Sequence, residues 1–175
     1  FDVNTACAGF VTAVDMGAKY IRSDARYERV LVIGAYAMSK YLDLMDKKTV
    51  TLFADGAAGV LLEATTEDRG WLAARLHSEG QYHDWMGIYA GGARRPVDQS
   101  VLDRHEHQLQ FVRKFPKELN PDIWTEMAHT LCRRLDVTPA DVHKFFITQI
   151  NIHSIRETLD RLGLPHDRAH TIMHH

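Results

Sequence analysis

The feature that most restricts the fold of this chain is a helical stripe followed at once by a strand. Phe10, Val14, Gly17 and Ile21 recur at spacings of four, three and four, which places one apolar face on a helix running to about Ser23. Asp24-Ala25-Arg26 makes the exit, and Arg29-Val30-Leu31-Val32-Ile33-Gly34 follows as an apolar, largely β-branched run. That run has the pattern of a strand buried on both faces. With the strand-like opening residues ahead of the helix, the order is strand, helix, strand. Such a unit predicts an α/β chain with a parallel sheet.

The start of that helix carries the chemistry. Cys7 sits among Ala6, Ala8 and Gly9. A thiol at a helix N-terminus meets the positive end of the macrodipole and unpaired backbone N–H groups, both of which stabilise negative charge on sulfur. Small neighbours let the carbonyl of a thioester approach closely. The same residues also suit a plainer use, because a cysteine among alanines is commonly a small packed hydrophobe. Read from the residues alone, Cys7 is either a nucleophile or a packing residue.

Composition excludes several classes. With 175 residues and 45% hydrophobic content, the chain can bury one sizeable core. A formal charge of −2 leaves no basic footprint for nucleic acid or an anionic membrane. No apolar run reaches the length of a membrane span, and nothing reads as a signal peptide. The eleven histidines are scattered without metal-ligand spacing, and His174-His175 reads as a tag remnant; no metal and no cofactor is expected. Cys7 and Cys132 lie far apart in different settings, which suits a reducing cytoplasm better than a disulfide framework.

Further along, Ser39 to Lys48 reads as a polar surface excursion. In Thr51 to Leu62 two strand-like pieces flank a glycine-rich hinge that fits neither a P-loop nor a dinucleotide fingerprint. Gly56 and its neighbours are therefore expected to form a tight turn, with Asp55 as a turn and hydrogen-bonding residue. The break at Glu67–Gly70 divides the chain into 1–66 and 67–175. Trp71–Ser78 reads as a strand opening the second part. The stretch 80–99 combines Tyr82, Trp85, Met86 and Tyr89 with Arg94-Arg95, residues able to stack on an adenine, pair with a phosphate, or simply pack at a rim. Helices are predicted over Leu109–Phe115 and Pro121–Leu135, the second with Asn120 as N-cap and Cys132 on its apolar side. Thr138-Pro139 marks a helix or turn start, and His143–Ile147 reads as a strand. The last helix carries Ile152, Ile155, Leu159 and Leu162 and is closed by Gly163 and Pro165.

Three segments carry a family resemblance: Asp2-Val3-Asn4-Thr5-Ala6-Cys7-Ala8-Gly9-Phe10, Phe53-Ala54-Asp55-Gly56-Ala57-Ala58-Gly59 and Thr148-Gln149-Ile150-Asn151-Ile152-His153. In this order they resemble the ketoacyl-acyl-carrier-protein synthase III family, condensing enzymes of the thiolase superfamily. The resemblance covers nearly all of the chain but only the middle of a family member. It implies a layered αβαβα thiolase-like fold, with 1–66 the end of the first half and 67–175 most of the second. On that reading the chain is a fragment. The family's catalytic asparagine would lie beyond His175, and the glycine-rich part of the oxyanion hole is lacking.

The resemblance also implies roles. Cys7 would be acylated by an acyl thioester, coenzyme A- or carrier-borne, and its backbone N–H would donate to the oxyanion. A malonyl-acyl-carrier protein would then condense with loss of carbon dioxide, in fatty acid or related biosynthesis. A homodimer is implied. Gly56 supports the site, and Gln149 and Asn151 match the family wording. The family's histidine, however, is replaced by Thr148, and an arginine near the carrier entrance by His153. A threonine donates a hydrogen bond but cannot become a cation. Thr148 therefore keeps two alternatives open: an acyltransferase that passes its acyl group to an alcohol or amine without decarboxylation, and a non-catalytic paralogue in which Cys7 only packs.

Overall fold

The computed structural model describes residues 1–173, so the tag-like His174-His175 lies outside the described residues. The chain divides into two compact units. The first comprises Phe1–Val30, Leu62–Leu76 and the chain from Pro116 onward; the second comprises Leu31–Leu61 and His77–Phe115.

In the first unit the stripe forms helix α1, Gly9–Ser23, with Val14, Gly17 and Ala18 buried. Gly17 sets the depth of its docking. A Cβ there would stand 2.9 Å from Leu62 Cδ1 and 3.1 Å from Val30 Cγ1, so the helix backbone lies directly on those two side chains. A polar clamp holds the same helix. The buried Asp15 carboxylate accepts from Lys19 Nζ at 2.5 Å and from Trp71 Nε1 at 3.1 Å. Arg22 donates to the Trp71 carbonyl. The Lys19 bond first, and then the Trp71 bond and nearby positive charge, hold the Asp15 carboxyl below its ordinary range against the opposing pull of burial.

The strands differ from expectation. Residues 1–5 form no strand, and β1 (Arg29–Ala37) pairs with β2 (Asp55–Glu63) in a two-stranded sheet. Ala64 N–H donates to Glu28 O at 2.9 Å, Arg29 pairs with Glu63 at 2.7 Å, and a Cβ on Gly59 would touch Val32 O at 3.0 Å. Residue numbers fall along one strand as they rise along the other, so the pairing is antiparallel rather than parallel. The segment between the strands contains only a 3-10 turn, Met38–Tyr41, and irregular turns, so it lacks the crossover helix that a parallel return needs. Nor is β1 covered on both faces: Leu31 and Ile33 are each 63% exposed. The glycine-rich stretch is no hinge. It runs inside β2, where the missing Cβ of Gly59 lets the neighbouring backbone close in.

In the second unit, Met38, Leu42 and Leu109 form a small core with Phe53 and Met86 against it. The Ser39–Lys48 excursion is thus anchored inward at Leu42 rather than lying wholly on the surface. Leu109–Phe115 is not a helix. Gln110–Phe111 forms β4, antiparallel to β3 (Met86–Gly87), in register Met86 with Phe111. Aromatic packing selects this form: Phe115 meets Tyr82, Trp85 and Phe111 at centroid distances of 5.6, 5.5 and 6.4 Å. Between β3 and β4 lies a short helix α2, Gln99–Asp103, whose Asp98 cap accepts from Val101 N–H at 2.9 Å.

The rest of the first unit is built on two helices, α3 (Leu119–Arg134) and α4 (Ile152–Arg161). α3 starts before the expected Asn120 cap, with Glu118 at the N-cap, and Pro121 sits in its first turn, where a missing N–H costs nothing. Cys132 is buried in it. Ile155, Leu159, Leu164 and Ala169 form the core, with Trp124 and Phe145 packed on it. Gly163, at φ +70, ends α4 as the sequence indicates. Trp71–Leu76 is not a strand. Two of its carbonyls, Trp71 and Ala74, accept from the side chains of Arg22 and Arg134, which substitute for ladder partners. Likewise His143–Ile147 makes one parallel bridge, Phe145 with Ala169, in place of a strand.

Two outcomes follow for stability. Gly17→Leu forces extra volume onto Val30 and Leu62 and is expected to lower unfolding free energy by about 1–3 kcal/mol, read by urea denaturation. Because the folded Asp15 pKa is depressed, its contribution is present above the unfolded value and is lost as pH falls below about 4. Asp15→Asn should therefore lower stability at neutral pH and flatten the loss below pH 4 in the same assay.

Candidate active site

Cys7 occupies the middle of a 3-10 turn, Ala6–Ala8, that leads directly into α1. The sulfur-bearing residue is exposed. Its turn is built by its neighbours. Ala6 N–H donates to Asn4 Oδ1 at 3.1 Å and Ala8 N–H to Thr5 O at 3.1 Å. That leaves the Cys7 N–H without a hydrogen-bond partner among the described residues. Thr12, one helical turn further on and buried, donates its hydroxyl to Ala8 O at 2.8 Å and lies 3.1 Å from Thr5 Oγ1. With the Thr12 proton spent on Ala8, the Thr5 hydroxyl is the donor in that second contact.

Ala6 holds φ at 49°, a left-handed conformation that an L-residue with a Cβ takes at a cost of about 1–2 kcal/mol. This strain next to the thiol was not legible beforehand, since alanine carries no signal for positive φ. The Asn4–Thr5 pair ahead of it is the available hint, because both side chains bond readily to nearby backbone.

The second cluster surrounds the start of α4. Asn151 is the N-cap, its Oδ1 accepting from His153 N–H at 2.8 Å. Gln149 ties two segments together: its Nε2 donates to Ile147 O at 2.7 Å and to His170 O at 3.2 Å, and its Oε1 accepts from Ile172 N–H at 3.2 Å. Thr148 is exposed, and its carbonyl accepts from Ile150 N–H at 2.9 Å. His153 is exposed in the first turn of α4. Among the described residues no hydrogen bond or ion pair joins the Cys7 turn to Thr148–His153, although both belong to the first unit. Gly56 lies in the second unit, on β2, and a Cβ there would meet nothing within 4 Å. Asp55 beside it accepts from Ser39 N–H at 2.8 Å and from the Ser39 hydroxyl, which hold its carboxyl below the ordinary range. No group of three or more His, Cys, Asp or Glu side chains among the described residues is placed to hold a metal.

A cysteine-bearing turn opening a helix, a glycine-rich strand and a capped loop-to-helix junction follow one another along the chain. Residues 1–80 match the family described as 3-Oxoacyl-[acyl-carrier-protein (ACP)] synthase III. Curated relatives named beta-ketoacyl-[acyl-carrier-protein] synthase III align with nearly the whole of this chain. The beta-ketoacyl-[acyl-carrier-protein] synthase III of Rhodobacter capsulatus is 37% identical over 97% of this chain and 51% of its own. That of Chlorobaculum tepidum is 34% identical over 97% of this chain and 52% of its own. The crystal structure of 3-oxoacyl-(acyl carrier protein) synthase III from Pseudomonas aeruginosa superposes with a TM-score of 0.84 at 24% identity, over 99% of this chain and 52% of that one. The fold is thus thiolase-like and mixes helix with sheet, and the chain spans about half the length of the curated relatives it matches. No helix among the described residues is long and apolar enough to cross a membrane.

The cap at Asn151 generates one expectation. Asn151→Ala should cost about 0.5–2 kcal/mol in denaturant unfolding, while Asn151→Asp, which keeps an acceptor for His153 N–H, should cost little.

Proposed function

We propose that the full-length protein is a 3-oxoacyl-acyl-carrier-protein synthase III-type condensing enzyme that uses Cys7 as its nucleophile. The observation that carries this reading is the Cys7 turn: an exposed thiol at the start of a fifteen-residue helix, beside its own unpaired backbone N–H. The Cys7 sulfur attacks the carbonyl of an acyl thioester, and the oxygen, now negative, is met by the Cys7 N–H. Collapse breaks the bond to the leaving thiol, which departs as coenzyme A or carrier thiol and takes up the proton lost by Cys7. A malonyl group then loses carbon dioxide. The electron pair of that broken bond attacks the acyl carbonyl and expels the Cys7 thiolate.

Thr148 stands where the family resemblance places a histidine, and its hydroxyl donates one hydrogen bond to the malonyl carbonyl without supplying positive charge. Gln149 and Asn151 keep the junction in place, and His153 lies at the carrier entrance. Gly56 belongs to the supporting strand. The division at 66/67 into two related halves, a homodimer, acyl and malonyl carriers as partners, and a cytoplasmic place in fatty acid or related synthesis complete the proposal. Thr148 favours a second reading, in which the acyl group passes to an alcohol or amine without decarboxylation.

The test uses full-length protein with acyl-coenzyme A, followed by intact and peptide mass spectrometry. Acyl mass on Cys7, absent in Cys7→Ala, is expected; its absence from the wild type would falsify both readings. Added malonyl-carrier protein should then release carbon dioxide, and Thr148→His should raise that rate about tenfold or more. An acyl-enzyme that ignores malonyl but discharges onto amines or alcohols selects the second reading.

A further inference from the structure

Next to the Cys7 turn, the first full turn of α1 carries a buried threonine, Thr12, which is 8% exposed. A hydroxyl there has a plain use, since threonines inside helices commonly bond back to the carbonyl four residues earlier. Thr12 does this, donating to Ala8 O at 2.8 Å. Its oxygen also stands 3.1 Å from Thr5 Oγ1, seven residues back and outside the helix. Back-bonding within a helix does not call for that second contact.

The two contacts bracket the thiol. Thr5 stands at the N-cap of the 3-10 turn and Ala8 ends it, with Ala6 and Cys7 between them. The backbone joins the same two residues, Ala8 N–H donating to Thr5 O at 3.1 Å. Thr5 and Ala8 are therefore linked twice, once directly and once through Thr12. Thr5 also lies close to the start of α1: a Cβ on Gly9 would stand 4.0 Å from Thr5 Oγ1 and 3.6 Å from Val3 O. Residues 3 to 5 are thus folded back on the first residue of the helix. The hydroxyls form a chain that runs from Thr5 to Thr12 to Ala8 O, in which each bond polarises and strengthens the next. Cys7, whose N–H makes no hydrogen bond among the described residues, takes its direction from the residues this chain ties down.

We propose that Thr12 is a positioning residue for Cys7: by tying Thr5 to Ala8 from a buried place, it fixes the direction in which the Cys7 N–H meets the oxygen of an attacked carbonyl. This role rests on the acyl-transfer reading above, in which the sulfur adds to a carbonyl and its oxygen becomes negative. A small tilt of the turn leaves the sulfur accessible yet moves the N–H off the oxyanion, so placement and access are separable.

Full-length protein is treated with acyl-coenzyme A, with p-nitrophenyl acetate and with iodoacetamide, and the rate of modification of Cys7 is read by peptide mass spectrometry. The two esters react through an oxyanion; iodoacetamide loses iodide to the sulfur without one. Thr12→Val keeps the side chain's shape and removes its hydroxyl. It should lower the saturating rate of acylation about tenfold at unchanged half-saturation, while alkylation stays within about twofold of wild type. Thr12→Ser, which keeps the hydroxyl, should restore acylation. Thr5→Val breaks only the Thr5–Thr12 contact, at an exposed position where folding is not at risk, and should reproduce part of the loss.

The proposal is overturned if both valine variants acylate as wild type does, if acylation and alkylation fall together, or if Thr12→Ser does not restore the rate. Thr12-dependent acylation by p-nitrophenyl acetate in a protein that ignores acyl-coenzyme A would leave this role standing and remove only the acyl-thioester reading. A wild-type Cys7 that is alkylated but accepts an acyl group from neither ester overturns both.

Discussion

The geometry around Cys7 depends on how α1 is seated. Helix and strands meet at Gly17, where only a hydrogen fits between the helix backbone and the Val30 and Leu62 side chains. Two turns of helix separate that contact from the thiol, so its depth sets where the helix N-terminus ends up. Asp15 fixes the remaining freedom, rotation about the helix axis, by accepting from the Trp71 indole at a buried position, while Arg22 of the same helix donates to the Trp71 carbonyl. Packing and polar contact thus act on the same short cylinder, one on its depth and the other on its rotation.

The Thr148–His153 junction is organised by the opposite means, with local hydrogen bonds in place of close packing. Asn151 supplies an acceptor to the first turn of α4, and Gln149 bonds on both sides of its own backbone, to residue 147 and to the 170–172 segment. Beneath it, Ile155 and Leu159 are almost fully buried and anchor the helix these caps begin. Thr148 is therefore an exposed residue in a junction whose neighbours Gln149 and Asn151 are committed to structure.

Helices were legible in the sequence wherever their stripes were long. Phe10 to Ile21 and Ile152 to Leu162 each give a 3.6-residue period, and both helices form, the second ended by Gly163. Strand assignments failed more often, because an extended segment is defined by partners that lie elsewhere in the chain. Trp71–Leu76 has the composition of a strand, but arginine side chains satisfy two of its carbonyls. Leu109–Phe115 misled in the other direction, since its aromatic residues are drawn to Trp85 and Tyr82 and local period counts cannot register that. At the candidate site the helices that follow Cys7 and Asn151 could be read from their stripes. The left-handed Ala6 could not, because it depends on the three-dimensional placement of a residue whose type is unremarked in sequence.

Ala6 also sets a tension between durability and aim. A glycine at φ 49° would relieve the local strain, yet it would widen the range of directions open to the residue that follows. Alanine retains the strain and narrows that range, so the turn holds Cys7 along one heading. Heat-tolerance engineering that favours the relaxed residue here would gain melting temperature while loosening the placement of the sulfur.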